Sequence, residues 1–597
     1  MLVMGMLSVG YADDPAYDAS VTVTGLADGD KVDFYKLIEW VGAKEDGTDV
    51  SGWKATSAYA TVLTKSVLQD VLIGAKVADQ AAVDAGKAAK VGDRYDPTGI
   101  TAELAGALAK VSASSVGTVK VGDTGSAALD VTAAGLGEGM YMALITPTDA
   151  DTIYSPVFVS SDYVSGGTNT HEVDALASYG DKAAAKKSTV TLEKAASTTP
   201  EDSWDDAKWQ TAAIGDTISF TVTSKLPGYG EVYTNPSFVM KDVLTGLKLD
   251  AGSVTLVKPA GATATISEAP DGLSYTITFD KDYLRAQTVA QDIEVTYTAK
   301  VVKNSTLAVD WEKNEVSIEY SHTPTDENSK LVKKDTTQHY KFTIDGNGDM
   351  AGNLLKGKKH AEVVKIGVDA NGNPVYDTEE FSEITETNSW KSPLENAEFK
   401  LYTNEACTDE YEYHHKNADG TDAGAQTYKS TSDGRIQIAN LDAGTYWLKE
   451  TKAPDGFIMD LAPKKIEIKA YFESVNVTEY WNGTAWITAA AYAELSEEAK
   501  ADCQAWTYQT DVLDKYEVYI NDTLTDTFQF TNVSNTTDVE FVDEGTVELP
   551  SPFTNTQGLQ LPSTGGIGTT LFYVGGGALI LLAVIFLVTK RRMSADE

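Results

Sequence analysis

Apolar and polar residues alternate over short runs through most of the chain, the period-two signature of strands with one buried face. The runs include Val21 and Val23, Val32 and Phe34, Gly139 to Ile145 and Tyr154 to Val159. Further on, Ile218, Phe220 and Val222 alternate after a Gly215-Asp216 turn, followed by Tyr275, Ile277 and Phe279, then Ile293, Val295 and Tyr297. Two stretches break this rhythm: Ala58 to Val111, rich in Ala, Leu and Lys at helical spacing, and Ala489 to Ala505. The pattern predicts a mainly β chain of tandem immunoglobulin-like β-sandwich domains, with a helical insertion in the first. A different pattern runs from Leu571 to Thr589. These residues are uncharged, and as a helix they span about 28 Å, enough to cross a bilayer once.

Lys590-Arg591-Arg592 follow that run and hold it with the basic end inside the cell, so everything before it is expected outside. Met1 to Ala12 is apolar and small, ending Gly10-Tyr11-Ala12 before Asp13-Asp14. It reads as the apolar core and cleavage site of a secretory signal without its basic leader, so the true start is expected further upstream. The expected divisions are a partial signal peptide over 1–12, domains over 13–180, 188–340 and 341–535, a flexible linker over 536–560 and a terminal sorting segment over 561–597.

Composition narrows the chemistry. Lys+Arg number 48 against 88 Asp+Glu, a net charge of -40, which excludes nucleic acid as a partner. The two cysteines, Cys407 and Cys503, are expected to form a disulfide outside the cell, pinning an insertion over Tyr471 to Lys515 to its sandwich. Six histidines with no metal-binding spacing leave no catalytic metal centre. Asp369, Asn371, Asn373, Asp377 and Glu380 have calcium-loop spacing, yet Pro374 stands where glycine is needed, so an Asn371-Gly372 turn is expected instead.

Leu561-Pro562-Ser563-Thr564-Gly565, the apolar run and the basic tail resemble the LPXTG sorting signal of Gram-positive surface proteins. The resemblance implies that a sortase cysteine attacks the Thr564 carbonyl, that Gly565 leaves with the helix, and that an amine takes the acyl group. Pro393 to Tyr402 and Gly444 to Phe457 resemble the collagen-adhesin B-type (SpaA-like) domain. The chain as a whole resembles sortase-assembled, LPXTG-anchored major (backbone) pilins.

Several expectations come with that resemblance. A junction lysine should accept Thr564 of the next subunit: Lys182, three residues after Tyr179, although Gly180 and Asp181 replace the family's single proline, with Lys186 and Lys187 as alternatives. Internal isopeptide bonds should form from Lys194, Asp242 and Asn314 in the second domain. In the third they should form from Lys365, Glu450 and Asn532, with Lys341 as the alternative amine. Burial suits this chemistry, because it favours a neutral, nucleophilic lysine and a protonated acid. The implied partners are a pilin-specific sortase, identical subunits, minor pilins, peptidoglycan and a host receptor, with no cofactor. The implied function is that of a structural shaft subunit, exported, transiently membrane-anchored and then held in the cell wall, supporting adhesion rather than catalysis. A monomeric wall-anchored adhesin is the rival reading.

Overall fold

The computed structural model describes residues 20–41, 52–64, 66–68, 100–149, 151–161, 180–198, 208–326, 328, 330–346, 361–376, 391–416, 422–532, 539–542, 551–558 and 567–593. In the first domain β1 (Ser20–Thr24), β2 (Lys31–Val41) and β3 (Gly139–Thr146) place Val21, Val23, Val32, Phe34, Tyr141 and Ala143 in one core, as the alternation requires. The Ala58–Val111 stretch delivers α1 (Ala102–Ala109), capped by Thr101, whose hydroxyl accepts from the Leu104 amide at 3.1 Å. This helix leans on the second domain so closely that a Cβ on Gly106 would lie 2.0 Å from the Val232 carbonyl oxygen. The domain closes with β4 (Lys182–Ala184), which runs parallel to β1 with Lys182 opposite Thr22.

The second domain is a sandwich. Its strands are β5 (Leu192–Ser197), β6 (Trp209–Thr211), β7 (Thr217–Leu226), β8 (Phe238–Leu244), β9 (Ser274–Phe279), β10 (Gln291–Val301), β11 (Val309–Ser321) and β12 (Lys330–Ile344). One sheet holds β5, β7 and β10 side by side; the other runs β6, β12, β11, β8, β9. Inward-facing Phe220 of β7 stacks on Tyr297 of β10 with ring centroids 4.8 Å apart, and Phe238 of β8 meets Phe279 of β9 edge-on. Burying side chains of this size contributes about 1.5–3 kcal/mol each.

β12 does not end with its domain. Phe342 and Ile344 pair with Leu441 and Ile438, and both are buried in the third domain's core, where Phe342 meets Tyr516 with centroids 4.9 Å apart. The boundary expected between 340 and 341 therefore falls inside one continuous strand. The third domain adds β13 (Val363–Val368), β14 (Glu398–Tyr402), β15 (Gly444–Lys452), β16 (Lys464–Trp481), β17 (Gln504–Ile520), β18 (Thr523–Asn532) and β19 (Ser551–Gln557). The larger sheet orders β14, β15, β16, β17 and β18; the smaller places β19 between β13 and Phe457–Ile458. The expected linker over 536–560 thus contains a core strand, with Phe553 buried beneath it.

The distal halves of β16 and β17, with α2 (Ala489–Ala493) and α3 (Glu497–Ala501), form the arm expected over 471–515. No disulfide pins it: Cys407 and Cys503 are both free thiols. The arm lies instead on β12. Trp506 Nε1 donates to the Lys334 carbonyl at 2.6 Å, Gln504 bonds the Val332 amide and the Lys330 carbonyl, and the Lys334 ammonium sits 2.5 Å from Glu479 and 2.8 Å from Glu315. Lys333 reaches Asp151 of the first domain at 2.5 Å while its ammonium lies over the Trp506 ring, so one residue touches all three domains. The carboxyl-terminal helix, α4 (Ile567–Met593), holds one span, Tyr573–Arg591, long and apolar enough to cross a membrane by length and composition. The pentapeptide Leu561 to Gly565 and Met1 to Ala12 lie outside the described residues.

At the entry to the third domain two acids are buried together. Asp345 Oδ1 accepts from the Glu362 and Val363 amides, and Glu362 Oε2 accepts from the Asp345 amide. Arg435 stays close by, donating to the Asp345 and Gly346 carbonyls. Burial, reinforced by the Asp526 carboxylate, pushes Glu362 from its ordinary 4.5 up to about 7, and Asp345 is raised by burial and by Glu362. A raised acid contributes stability that is complete below its unfolded pKa and is lost as pH rises through the folded one. Denaturant unfolding of the third domain should therefore show stability falling between pH 4.5 and pH 8, by about 3 kcal/mol for Glu362. Glu362→Gln should flatten most of that slope.

Two buried lysine, carboxylate and asparagine sites

In the second domain Lys194 projects from the middle of β5 across the sandwich, where burial leaves its ammonium no water. It meets Asp242 of β8, with Nζ 2.8 and 2.7 Å from the two carboxylate oxygens. Phe220 and Tyr297 flank the ammonium at 5.4 and 5.5 Å from their ring centroids. Tyr275 and Tyr297 hydroxyls both donate to Asp242 Oδ2, at 3.2 and 2.9 Å. Asn314 of β11 donates its Nδ2 to the Tyr297 hydroxyl at 2.7 Å, while its Oδ1 is buried without a hydrogen-bond partner. Burial lowers Lys194 against the pull of Asp242, and raises Asp242 against the pull of Lys194. Both shifts favour the neutral pair.

The third domain repeats the arrangement with different strands. Lys365 of β13 lies 3.2 Å from Glu450 Oε2 of β15, over the Phe399 ring, and burial lowers its pKa. Glu450 Oε1 accepts from Asn555 Nδ2 at 2.8 Å, and its Oε2 accepts from the Asp460 amide at 2.8 Å. The Asn555 Oδ1, like that of Asn314, is buried with no partner. Lys365 and Asn555 stand on adjacent parallel strands, Lys365 opposite Phe553 and Gly367 opposite Asn555, so their side chains share a face two residues apart. Gly434 makes room for this strand: at φ +80° its carbonyl accepts from the Lys365 amide at 2.7 Å, and a Cβ there would sit 2.7 Å from the Lys365 carbonyl oxygen.

Five of the six residues expected at the internal bonds are thus brought together, and the sixth is replaced. Asn532 ends β18, three strands from β15 in the same sheet, roughly 14 Å at ordinary strand spacing. Asn555 takes its place. Lys341, the alternative amine, faces a different acid: its ammonium lies 2.6 Å from Asp310 on the neighbouring strand, while Lys365 is the lysine at Glu450. Tyr297 and Tyr275 were not distinguishable in the sequence from ordinary core tyrosines. At the first junction Lys182, Lys186 and Lys187 are all exposed, and Tyr179 lies outside the described residues. Asp369 forms the expected turn, accepting from the Asn371 and Asn373 amides, and those bonds hold its carboxyl below the usual range.

Chemically, such a set can make an amide. A neutral lysine Nζ attacks the asparagine Cγ, a protonated acid polarises the carboxamide, the Cγ–Nδ2 bond breaks, and ammonia leaves carrying the amine's proton. In the second domain Tyr297 bridges Asp242 and the departing nitrogen, a path for that proton.

Comparison with known proteins gives two family matches. Residues 382–481 match the SpaA prealbumin-like fold domain, and residues 554–594 match the LPXTG cell wall anchor motif. Anchor and domain define a surface protein held in the cell wall. The trypsin-resistant surface T6 protein of Streptococcus pyogenes serotype M6 is 24% identical over 479 residues, covering 76% of this chain and 79% of that protein. The solved T6 backbone pilin of that serotype aligns with 91% of this chain and 100% of its own at 16% identity and a TM-score of 0.48. The full-length major pilin SpaD of Corynebacterium diphtheriae aligns with 90% and 97% at 14% identity and a TM-score of 0.39. The chain thus carries an LPXTG cell wall anchor and a SpaA prealbumin-like domain, and is similar over three quarters of its length to a streptococcal surface protein.

Digestion and mass spectrometry of the full chain should find Lys365 joined to Asn555. Asn555→Ala should restore one ammonia to the intact mass and Asn532→Ala should leave it unchanged; the reverse result would return the role to Asn532.

Proposed function

We propose that this shaft pilin is a load-bearing subunit joined head to tail by sortase, through Thr564 to Lys182 of the next copy, and stiffened by internal amides Lys194–Asn314 and Lys365–Asn555. Minor pilins, peptidoglycan as the final acceptor and a host receptor complete the expected partners, and the subunit serves as structure, not as an enzyme. One observation carries the internal bonds: each site has a buried lysine and acid beside an asparagine whose carboxamide oxygen has no partner. Native proteins rarely bury such an acceptor unsatisfied, and the amide-forming reaction gives it a polarising acid.

Each amide would close a large loop, roughly 120 residues in the second domain and roughly 190 in the third, restricting the unfolded chain by about 5 kcal/mol each by analogy with a disulfide. Asp242→Ala should restore one ammonia to the intact mass and lower unfolding stability by an amount on that order. The exposure of Lys182 on β4 supports its role as acceptor, since a sortase acyl-enzyme must reach the amine. In cell-wall extracts Lys182→Arg should reduce the ladder of polymers to monomer, while Lys186→Arg and Lys187→Arg keep the ladder. Polymer from Lys182→Arg would refute the assignment, and a single band from the unaltered protein would favour the monomeric adhesin.

A further inference from the structure

β5, which carries Lys194, is the edge of its sheet: among the described residues it pairs only with β7. An edge strand frays more readily than a central one, and fraying withdraws Lys194 from Asp242. The open edge is nevertheless bonded, by side chains where a strand would be. The Lys194 amide donates to Asp335 Oδ2 of β12 at 2.7 Å, and the Lys194 carbonyl accepts from the Lys208 ammonium at 2.8 Å. Lys208 and Asp335 form an ion pair with each other, Asp335 being almost wholly buried. Two residues along, Gln210 repeats the device: its Nε2 donates to the Ala196 carbonyl at 2.9 Å and its Oε1 accepts from the Thr198 amide at 3.3 Å.

Lys208 and Gln210 share one side of the short segment that pairs with β12, so their spacing matches that of Lys194 and Ala196. Outside this row lies a cleft of about 540 Å³, walled on its far side by Trp506, Tyr508 and Asp511 of the arm. Among the described residues no main chain bonds β5 there in place of the side-chain ladder. The third domain does otherwise, because the Lys365 amide and carbonyl are bonded by main chain, at Gly434 and Leu394.

On the reading of the second-domain site given above, we infer that Asp335 and Lys208 are positioning residues for amide formation, holding the Lys194 backbone in the register that keeps its amine against Asp242 and Asn314. They touch neither reacting group. The amine gains its reach from a backbone fixed at both the N–H and the C=O, and a loosened backbone lowers the fraction of time spent in the attacking geometry.

The full chain, purified in detergent and unfolded before reaction is complete, is refolded, sampled over time and digested, and the Lys194–Asn314 and Lys365–Asn555 peptides are counted. Asp335→Ala and Lys208→Met should slow the first bond on the order of tenfold or more and leave the second at its normal rate. Lys208→Arg, which keeps donors for both the carbonyl and Asp335, should restore the first bond to near its normal rate, a rescue that distinguishes positioning from general destabilisation. Gln210→Ala, whose contacts fall at Ala196 and Thr198, two and four residues along from Lys194, should have the smaller effect. Normal rates in Asp335→Ala and Lys208→Met overturn the inference while leaving the proposed function intact. Absence of the Lys194–Asn314 peptide from the unaltered chain overturns the proposed second-domain amide and this role together.

Discussion

An ammonium ion taken out of water is costly unless something answers its charge, and two of this chain's sandwiches are built around one. Lys194 and Lys365 are each 1% exposed, and each faces a single acid across or beside the core. An apolar pair of similar volume would pack as well without the desolvation penalty, so stability alone does not explain these residues. On the proposed function burial would provide reactivity: it lowers both lysines toward the neutral amine and raises Asp242 toward the protonated acid, the states that amide formation uses. The surrounding aromatics, Phe220 and Tyr297 in one site and Phe399 in the other, set their rings over the ammonium in place of water.

The two sites are assembled from different strands. In the second domain the lysine and the asparagine come from opposite sheets, so the amide would pin the sandwich shut. In the third they come from the adjacent parallel strands β13 and β19, the first and last of the smaller sheet in chain order, so tension between them would load their hydrogen bonds in shear. Hydrogen bonds contribute only about 0.5–1.5 kcal/mol each, and a covalent link between the end strands removes the need for them to carry force.

The alternation of apolar residues made the second domain's strands legible, and Lys194 and Asp242 each interrupt an inward-facing apolar row, whereas Asn314 follows Asp310 and Glu312 on its buried face and was placed by resemblance to pilin domains. Glu450 was legible from its neighbours in Gly444 to Phe457. Asn555 was not, for a physical reason: β19 is short, contains Pro552, and offers Phe553 as its single large apolar side chain, so it has the composition of a linker while its partners bury it. Asn532 lies at the end of an aromatic-rich strand and therefore looked like the better acceptor. The side-chain ladder on β5 left no mark in the sequence, since Lys208, Gln210 and Asp335 are polar residues whose partnership depends on two sheets meeting. Cys407 and Cys503 misled because their number suggested a pair, whereas the arm is fixed to β12 by Trp506, Gln504 and Lys334.

The strand that passes from the second domain into the third changes what kind of object the subunit is. Two beads on a string bend freely where the string is bare, but β12 has no bare stretch between the two cores: Leu331 packs against the second domain's core, Tyr340 and Phe342 lie in the third's, and every residue from Val332 to Ile344 is buried. With the arm bonded alongside as a brace, the pair would bend as a single rod, and a fibre made of such units would find its compliant joints elsewhere along each repeat.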